Sequence, residues 1–503
     1  MVGRKTEPDA KCVGLFCVQR GGWSGVVLGF ARAPLPCFHF AFTPAFACVK
    51  PMSVIASTDT VAALATPVGT SAIAVVRASG PHAAALVQGI FGERPQPRVA
   101  RHADYRDTRG ELVDDVLFTF FAGPNSFTGE DTVEISCHGN PFIAQKILED
   151  LVARGCRPAE AGEFSRRAFL NGRLDLSQAE AVMDLIHARS ERALAAANQQ
   201  LRGALGRQVE ELISLLVNIL AHVEAYIDFP EEDLPAENQR DILRQIDELA
   251  AQASRLLATN HYGSLLRDGI KTVLIGEPNA GKSSLLNRLV GRERALVSPE
   301  PGTTRDYLEE RIVVGPHWLR LIDTAGLNLS PSSLEQRGME KTIEQAGEAD
   351  LFLWVVDVNR SLPPLPADLR AKMTAQNTVI CGNKVDLAVT GDVQVAPDFP
   401  LVKVSALRGD GIDALQAAVT ALADRFSVQV GPELIAINAR HAGALKEATA
   451  ALASARSKLV AGEADELMAS DLRGALDAFG QISGKVDNEK ILDQLFASFC
   501  IGK

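Results

Sequence analysis

From residue 54 to about 169, short apolar runs alternate with clusters of turn-forming residues. This spacing predicts strands over 72–77, 116–121 and 132–136, with a helix over 142–154 after the third. The stretch 123–131 (Gly-Pro-Asn-Ser-Phe-Thr-Gly-Glu-Asp) is too rich in turn formers to be other than a loop. A small α+β domain is therefore expected first. From 174 to 227 the apolar period becomes 3.6, placing Leu212, Leu216, Ile219 and Val223 on one helical face, and Pro230 ends the run. The acidic segment 228–237 reads as a solvated loop, after which helix resumes over 240–266. Further helical blocks are expected at 434–459 and 490–499. Between about 269 and 428, apolar runs alternate with helical patterns, as a doubly wound α/β sheet requires. Its expected strands are 271–275, 318–322, 351–356, 378–381 and 401–404. Helical blocks on both sides of this stretch imply an α/β domain inserted into a helical one.

Composition narrows the class. The chain has 503 residues, 47% of them apolar and 22% charged, which is ordinary for a globular protein of about three domains. Its net charge of −11 argues against nucleic-acid binding by bulk charge, and no run of ~20 uninterrupted apolar residues predicts a membrane span. The first 51 residues differ. They contain Cys12, Cys17, Cys37 and Cys48, half of the eight cysteines, and show no helical or strand period. They read either as a targeting-like segment or as upstream sequence translated from a start assigned too early, and the strand pattern that begins after Met52 favours the second. The other four cysteines are scattered singly, as in a reducing cytosol.

The chemistry is concentrated at predicted strand ends. Gly276, Gly281, Lys282 and Ser283 form a G-x-x-x-x-G-K-S pattern between the 271–275 strand and a helical run. Such a loop turns backbone N–H groups toward phosphate oxygens and aims a helix N-terminus at them. Lys282 would reach the β- and γ-phosphates, and the Ser283 hydroxyl would ligate Mg²⁺. Asp323-Thr324-Ala325-Gly326 follows the 318–322 strand and offers an acid to the magnesium shell and an N–H to the γ-phosphate. Asn383-Lys384-Val-Asp386 follows the next motif-bearing strand, and Asp386 can accept from the two guanine donors that adenine lacks. Ser405, Ala406 and Leu407 complete the base pocket. Taken together and in this order, the motifs specify GTP. In the switch, Gly302-Thr303-Thr304 offers Thr304 as a second magnesium hydroxyl. Leu327 stands where many GTPases carry a water-orienting Gln, so Glu335, eight residues on, is the candidate for that role.

These motifs, with Gly129-Glu-Asp131, Gly162-Glu-Phe-Ser-Arg-Arg-Ala-Phe-Leu-Asn171 and the terminal Phe499-Cys-Ile-Gly-Lys503, resemble the MnmE (TrmE) family of tRNA wobble-uridine modification GTPases. The likeness covers residues 52–503. It implies a multidomain fold: an extension over 1–51, a tetrahydrofolate-binding-like α+β domain over 52–170, and a helical domain split into 171–267 and 431–503. A Ras-like P-loop G domain over 268–430 is inserted between the two halves. The nucleotide contacts it implies are Asn279, Ala280, Gly281, Lys282, Ser283, Ser284, Ser298, Gly302, Thr303, Thr304, the Asp323–Gly326 and Asn383–Asp386 motifs, and Ser405–Leu407. It also implies Mg²⁺ on Ser283 and Thr304, and K⁺ on Asn279, Ser298, Glu300 and Thr303 in place of an arginine finger. The folate, 5,10-methylenetetrahydrofolate or its 5-formyl relative, falls to Arg77, Glu134, Arg173 and Lys503. This chain has Arg at 173 where some members carry Lys. Cys500 is implied as a thiol needed for modification; the alternative is a buried structural thiol.

The resemblance further implies a cytoplasmic homodimer, joined by the FAD-dependent protein MnmG (GidA) in a heterotetramer that acts on tRNA. The expected product carries an aminomethyl or carboxymethylaminomethyl group at C5 of wobble uridine 34. A regulatory or ribosome-assembly switch could use a similar G domain. Such switches usually append a basic RNA-binding module, and the sequence shows none.

Overall fold

The computed structural model describes residues 59–92, 94–228, 236–293, 309–323, 347–362, 364–387, 398–428, 435–484, 495–497 and 499–502. The first sheet has the order β3-β4-β5-β2-β1-β6, built from β1 (Val61–Leu64), β2 (Ile73–Ser79), β3 (Ala100–Arg106), β4 (Leu112–Phe121), β5 (Thr132–His138) and β6 (Arg157–Pro158). All pairings are antiparallel except β1 with β6. Along β2, Ala74, Val76 and Ala78 point into the core while Val75 and Arg77 take the other face. Helices α1 (Ala83–Phe91) and α2 (Pro141–Ala153) cover the core face with Leu86, Val87, Ile147 and Leu151. Helix α2 starts where it does because the Asn140 side chain accepts from the Phe142 N–H at 2.9 Å and Pro141 occupies the first turn. Hydrophobic patterning had predicted three of these strands and α2; β1, β3, β6 and α1 were not foreseen.

The run expected over 174–227 is three helices: α4 (Leu176–His187), α5 (Glu191–Leu201) and α6 (Ala204–Asp228), preceded by α3 (Glu163–Leu170). Asp175 and Gln178 form a capping box at the start of α4. The helix expected over 240–266 breaks at Thr259 into α7 (Ala236–Ala258) and α8 (Asn260–Asp268).

The second sheet follows, with the order β12-β11-β10-β7-β9-β8. It comprises β7 (Ile270–Ile275), β8 (Glu309–Val314), β9 (His317–Asp323), β10 (Leu351–Asp357), β11 (Thr378–Asn383) and β12 (Leu401–Lys403), parallel except for β8. Helices α9 (Lys282–Glu293), α10 (Ala367–Lys372) and α11 (Ile412–Val428) accompany it. Its inner strands are buried on both faces, so β10 and β11 read as continuous apolar runs. Strand β7 is central, with β9 on one side and β10 on the other. The strand order switches sides there, with β8 and β9 to one side and β10, β11 and β12 to the other, opening a crevice at the carboxyl end of β7.

The chain then returns through α12 (Ala439–Ala461) and α13 (Asp465–Ser483). These pack with α6 and α7 around Leu212, Leu216, Ile246, Leu249, Leu445, Leu452, Leu472 and Phe479. The bundle core is thus drawn from both sides of the inserted sheet. Helix α13 escaped the periodicity reading because Gly474 and Gly480 interrupt a stretch rich in small residues. A buried tie joins the two halves: Arg440 donates to both carboxylate oxygens of Glu180 at 2.7 and 3.0 Å, and His441 approaches one at 2.7 Å. No described helix is long and apolar enough to cross a membrane.

Candidate functional site

The loop after β7 has the backbone of a phosphate cradle. Gly276 and Gly281 have φ of 150° and 97°, and Asn279 is a non-glycine residue at 64°. A β-carbon on Gly276 would strike the Val355 carbonyl oxygen, and one on Gly281 would strike Asn383 Nδ2. Glycine is therefore required at both positions. The Lys282 ammonium turns back onto the Gly276 and Glu277 carbonyls at 3.1 and 3.0 Å. Burial lowers its pKa, against the opposing pull of Asp323. Ser283 Oγ donates to Asp323 Oδ2 at 2.8 Å, bringing the ends of β7 and β9 together. Asp323 Oδ1 is buried with no hydrogen-bond partner among the described residues. A hydroxyl beside a carboxylate with a spare oxygen fits Mg²⁺, a hard cation that takes oxygen ligands.

The base-reading motifs lie at adjoining strand ends. Asn383 is buried and spans two loops: its Nδ2 donates to the Ala280 carbonyl at 2.9 Å, and its Oδ1 accepts from Ala406 N at 3.0 Å. Its side chain therefore braces the phosphate loop. Asp386 accepts from Ser405 Oγ at 2.6 Å, a bond that holds its carboxyl below the usual carboxylate range. Arg288 on α9 donates to the Ala406 and Leu407 carbonyls at 3.2 and 2.5 Å, while the Leu407 side chain stays exposed. Ser284, next to Ser283, is also exposed.

A second cluster forms on the first sheet. Arg77 and Glu134 face each other in the β2–β5 register, bonded through Nε and Nη2 to Glu134 Oε1 at 2.9 and 2.7 Å. The Arg77 guanidinium lies 5.8 Å from the Phe127 ring and 5.5 Å from that of Phe164. Its Nη1 reaches the Gly502 carbonyl at 3.4 Å. An ion pair with aromatic faces fits a folate, which needs polar partners at its pterin edge and an apolar bed for its ring. A β-carbon on Gly129, whose φ is 80°, would press on the Asn171 and Arg173 side chains.

The tail is seated by packing. Phe496 and Phe499 are buried against Phe169, Leu176 and Ala179, Ile501 bridges to Ala161, and the Cys500 carbonyl accepts from Gly162 N at 3.4 Å. A β-carbon on Gly502 would strike the Leu64 carbonyl. The Cys500 side chain is exposed, which excludes the buried structural thiol.

The family described as MnmE helical domain matches residues 176–500, and that described as GTP-binding protein TrmE N-terminus matches 60–173. A tRNA modification GTPase MnmE of Opitutus terrae is 57% identical over 447 residues, covering 88% of this chain and 99% of that one. The MnmE of Akkermansia muciniphila is 43% identical with the same coverage. The chain belongs to the MnmE family of tRNA modification GTPases.

In this MnmE-family GTPase, several residues singled out from the sequence lie outside the described residues. They are Ser298, Glu300, Gly302, Thr303, Thr304, Thr324, Ala325, Gly326, Leu327, Glu335 and Lys503. Sequence reasoning missed Arg288, Asp357 and the network beneath the first sheet. There the Arg167 guanidinium is buried between Glu163, Glu130 and Asp59, at 2.8, 3.2 and 2.8 Å. Burial raises the Glu163 pKa, but bonds from Arg157, the Glu160 N–H and Arg167 bring it below normal. Two stretches noticed as family motifs, Gly129-Glu-Asp131 and the α3 segment, thus meet in one ion cluster. The signal for that was available: acids and arginines are rarely buried unless paired.

Proposed function

We propose that this GTPase acts as a cytoplasmic homodimer in a heterotetramer with an FAD-dependent protein of the MnmG (GidA) type. Together they build an aminomethyl or carboxymethylaminomethyl group at C5 of wobble uridine 34 in certain tRNAs. In this reading residues 52–170 bind folate, 171–267 and 431–503 form the helical scaffold, and 268–430 form the G domain. The observation that carries it is the seat of the C-terminal tail, where the Gly502 carbonyl meets the Arg77–Glu134 pair two residues from an exposed Cys500. A thiol beside a candidate one-carbon donor site, in a family that modifies tRNA, is where uridine chemistry would be run.

Within the G domain, Lys282 takes the β/γ-phosphates, and Ser283 with Thr304 holds Mg²⁺ while Asp323 orients its shell. Mg²⁺ held by these residues would supply positive charge to offset the negative charge developing on the phosphate oxygens. Asn279, Ser298, Glu300 and Thr303 hold K⁺, and Glu335 orients the attacking water that Leu327 cannot. In the first domain Arg77, Glu134, Arg173 and Lys503 hold 5,10-methylenetetrahydrofolate or 5-formyltetrahydrofolate. Arg77 and Glu134 orient its polar edge, and Phe127 and Phe164 exclude water.

The test is reconstitution with the flavoprotein, folate, GTP, unmodified tRNA and an amine donor, ammonium for the aminomethyl product or glycine for the carboxymethylaminomethyl one, reading uridine 34 by mass spectrometry. Cys500→Ser should hydrolyse GTP at the normal rate and leave uridine 34 unmodified. Normal modification by this variant, or modification without the flavoprotein, would overturn the reading. In single-turnover assays Glu335→Ala should slow hydrolysis with GTP affinity nearly unchanged.

A further inference from the structure

The loop that reads the base is braced at a point no motif predicts. Asp357 ends β10, the neighbour of β11, and its Oδ2 accepts from the Lys384 ammonium at 2.9 Å. Its Oδ1 accepts from Asn359 N and Asn359 Nδ2, both at 3.0 Å. Arg360 N closes the turn on the Asp357 carbonyl at 3.0 Å, so one carboxylate orientation is imposed from two sides. Asn359 Nδ2 also reaches the Lys384 carbonyl at 3.5 Å, and Val358 N donates to the Asn383 carbonyl at 3.0 Å. The 357–359 turn therefore grips both Asn383 and Lys384.

The need for such a grip is electrostatic. Lys384 sits two residues before Asp386, with left-handed backbone at φ 69°. Lysine is a flexible point charge, and the half-buried Asp386 carboxylate, two residues on, lies within the electrostatic reach of Lys384. An ammonium resting on Asp386 would occupy the acceptor oxygens that guanine needs. We propose that Asp357 is a positioning residue for guanine recognition: it holds the Lys384 ammonium away from Asp386, leaving that carboxylate open to the base and the Lys384 methylenes as one wall of the pocket. The proposal rests on the reading of Asp386 as the guanine acceptor and goes beyond it by assigning its selectivity partly to a residue outside the four nucleotide motifs.

The test is a double-mutant cycle on the full chain, read by fluorescent GDP binding and steady-state hydrolysis. Asp357→Asn keeps shape and removes charge. It should weaken GDP binding by roughly tenfold, the scale of one hydrogen bond to a charged group, raising KM for GTP with kcat within about twofold. Lys384→Met should weaken binding less than Asp357→Asn, since it removes the ammonium that would cover Asp386 and keeps an apolar wall, and the double variant should bind as Lys384→Met does, regaining affinity lost in Asp357→Asn. Unchanged affinity in Asp357→Asn, or full additivity in the double variant, would overturn the proposal. Should Asp357→Asn lower the melting temperature, Asp357→Glu decides, since the retained charge must restore binding; a Glu variant as weak as Asn overturns it too. Asp386→Asn, assayed with xanthosine diphosphate, separates the two readings. A gain there with a silent Asp357→Asn defeats this proposal alone, and no gain defeats the base-reading role on which it depends.

Discussion

The two sheets carry their candidate sites in opposite ways. In the parallel sheet each motif is a short contiguous stretch at a strand end, and strand order alone gathers Gly276–Ser283, Asp323, Asn383–Asp386 and Ser405–Leu407 at one rim. In the antiparallel sheet the cluster is assembled from single residues. Arg77 and Glu134 are 57 positions apart and meet only through the β2–β5 register, and Arg77 meets the Gly502 carbonyl across 425 positions. The first arrangement uses backbone geometry, which a few glycines specify locally. The second uses side-chain partners delivered by packing, so its parts have no meaning until the tail is seated.

If the nucleotide rim is self-contained, it should be possible to disable it without touching the other cluster. The largest effect expected is on turnover. With Leu327 in place of a glutamine, the proposed K⁺ would stand in for an arginine finger, a group that gives ~10³–10⁵ in rate. GTP hydrolysis should therefore be far faster in K⁺ than in Na⁺ at equal ionic strength, with folate binding indifferent to the ion. Arg305 follows Thr304 in the switch; equal rates in the two salts, with Arg305→Ala inactive, would instead point to a finger.

Next in size is the tie between Glu180 and the Arg440–His441 pair, a contact assembled across the whole insertion. Burial pushes the Glu180 carboxyl up, but His441 and Arg440 more than offset this and bring it down to about 2 from 4.5. A depressed carboxyl stabilises the fold fully above about pH 4.5 and loses that contribution as pH falls toward 2. A shift of this size corresponds to about 3 kcal/mol. The stability of Glu180→Gln should accordingly be lower at neutral pH and should vary less than wild type between those two pH values, as chemical denaturation would show. A parallel pH profile would refute the tie.

Gly281→Val forces a β-branched residue into left-handed backbone, at about 1–3 kcal/mol, and drives it into Asn383 at a similar cost. GTP affinity should fall at least ~100-fold with folate affinity unchanged, as titration calorimetry can record. Gly502→Val is the mirror case. Collision with the Leu64 carbonyl should lift the tail and weaken folate binding by about tenfold, with GTP hydrolysis normal. Loss of both activities in either variant would mean that the two regions are not separable. The smallest effect belongs to Glu134→Gln, which retains part of the contact with Arg77. It should change stability by about 1 kcal/mol or less while reducing folate affinity measurably, and an equal loss from salt alone would mark the pair as ordinary surface charge.

What was readable in the chain was whatever rests on local backbone chemistry. The P-loop, the strand-end motifs and the apolar runs of β7, β10 and β11 each state their conformation within ten residues, because glycine φ and side-chain period are properties of neighbours. Long helices with a clean apolar stripe, such as α6, were legible for the same reason. The break at Thr259, the short strands β1 and β6, and glycine-interrupted α13 were not, since burial against distant partners stabilises them more than propensity does. Tertiary structure alone decided that Arg167 is a buried hub, that Asn383 braces the phosphate loop, and that Asp357 holds Lys384. It also decided that Cys500 is exposed while Phe499 beside it is buried. These depend on strand register and on how two segments separated by the inserted sheet rejoin in one bundle. No short-range pattern encodes that, because the partners are set by which surfaces exclude water together.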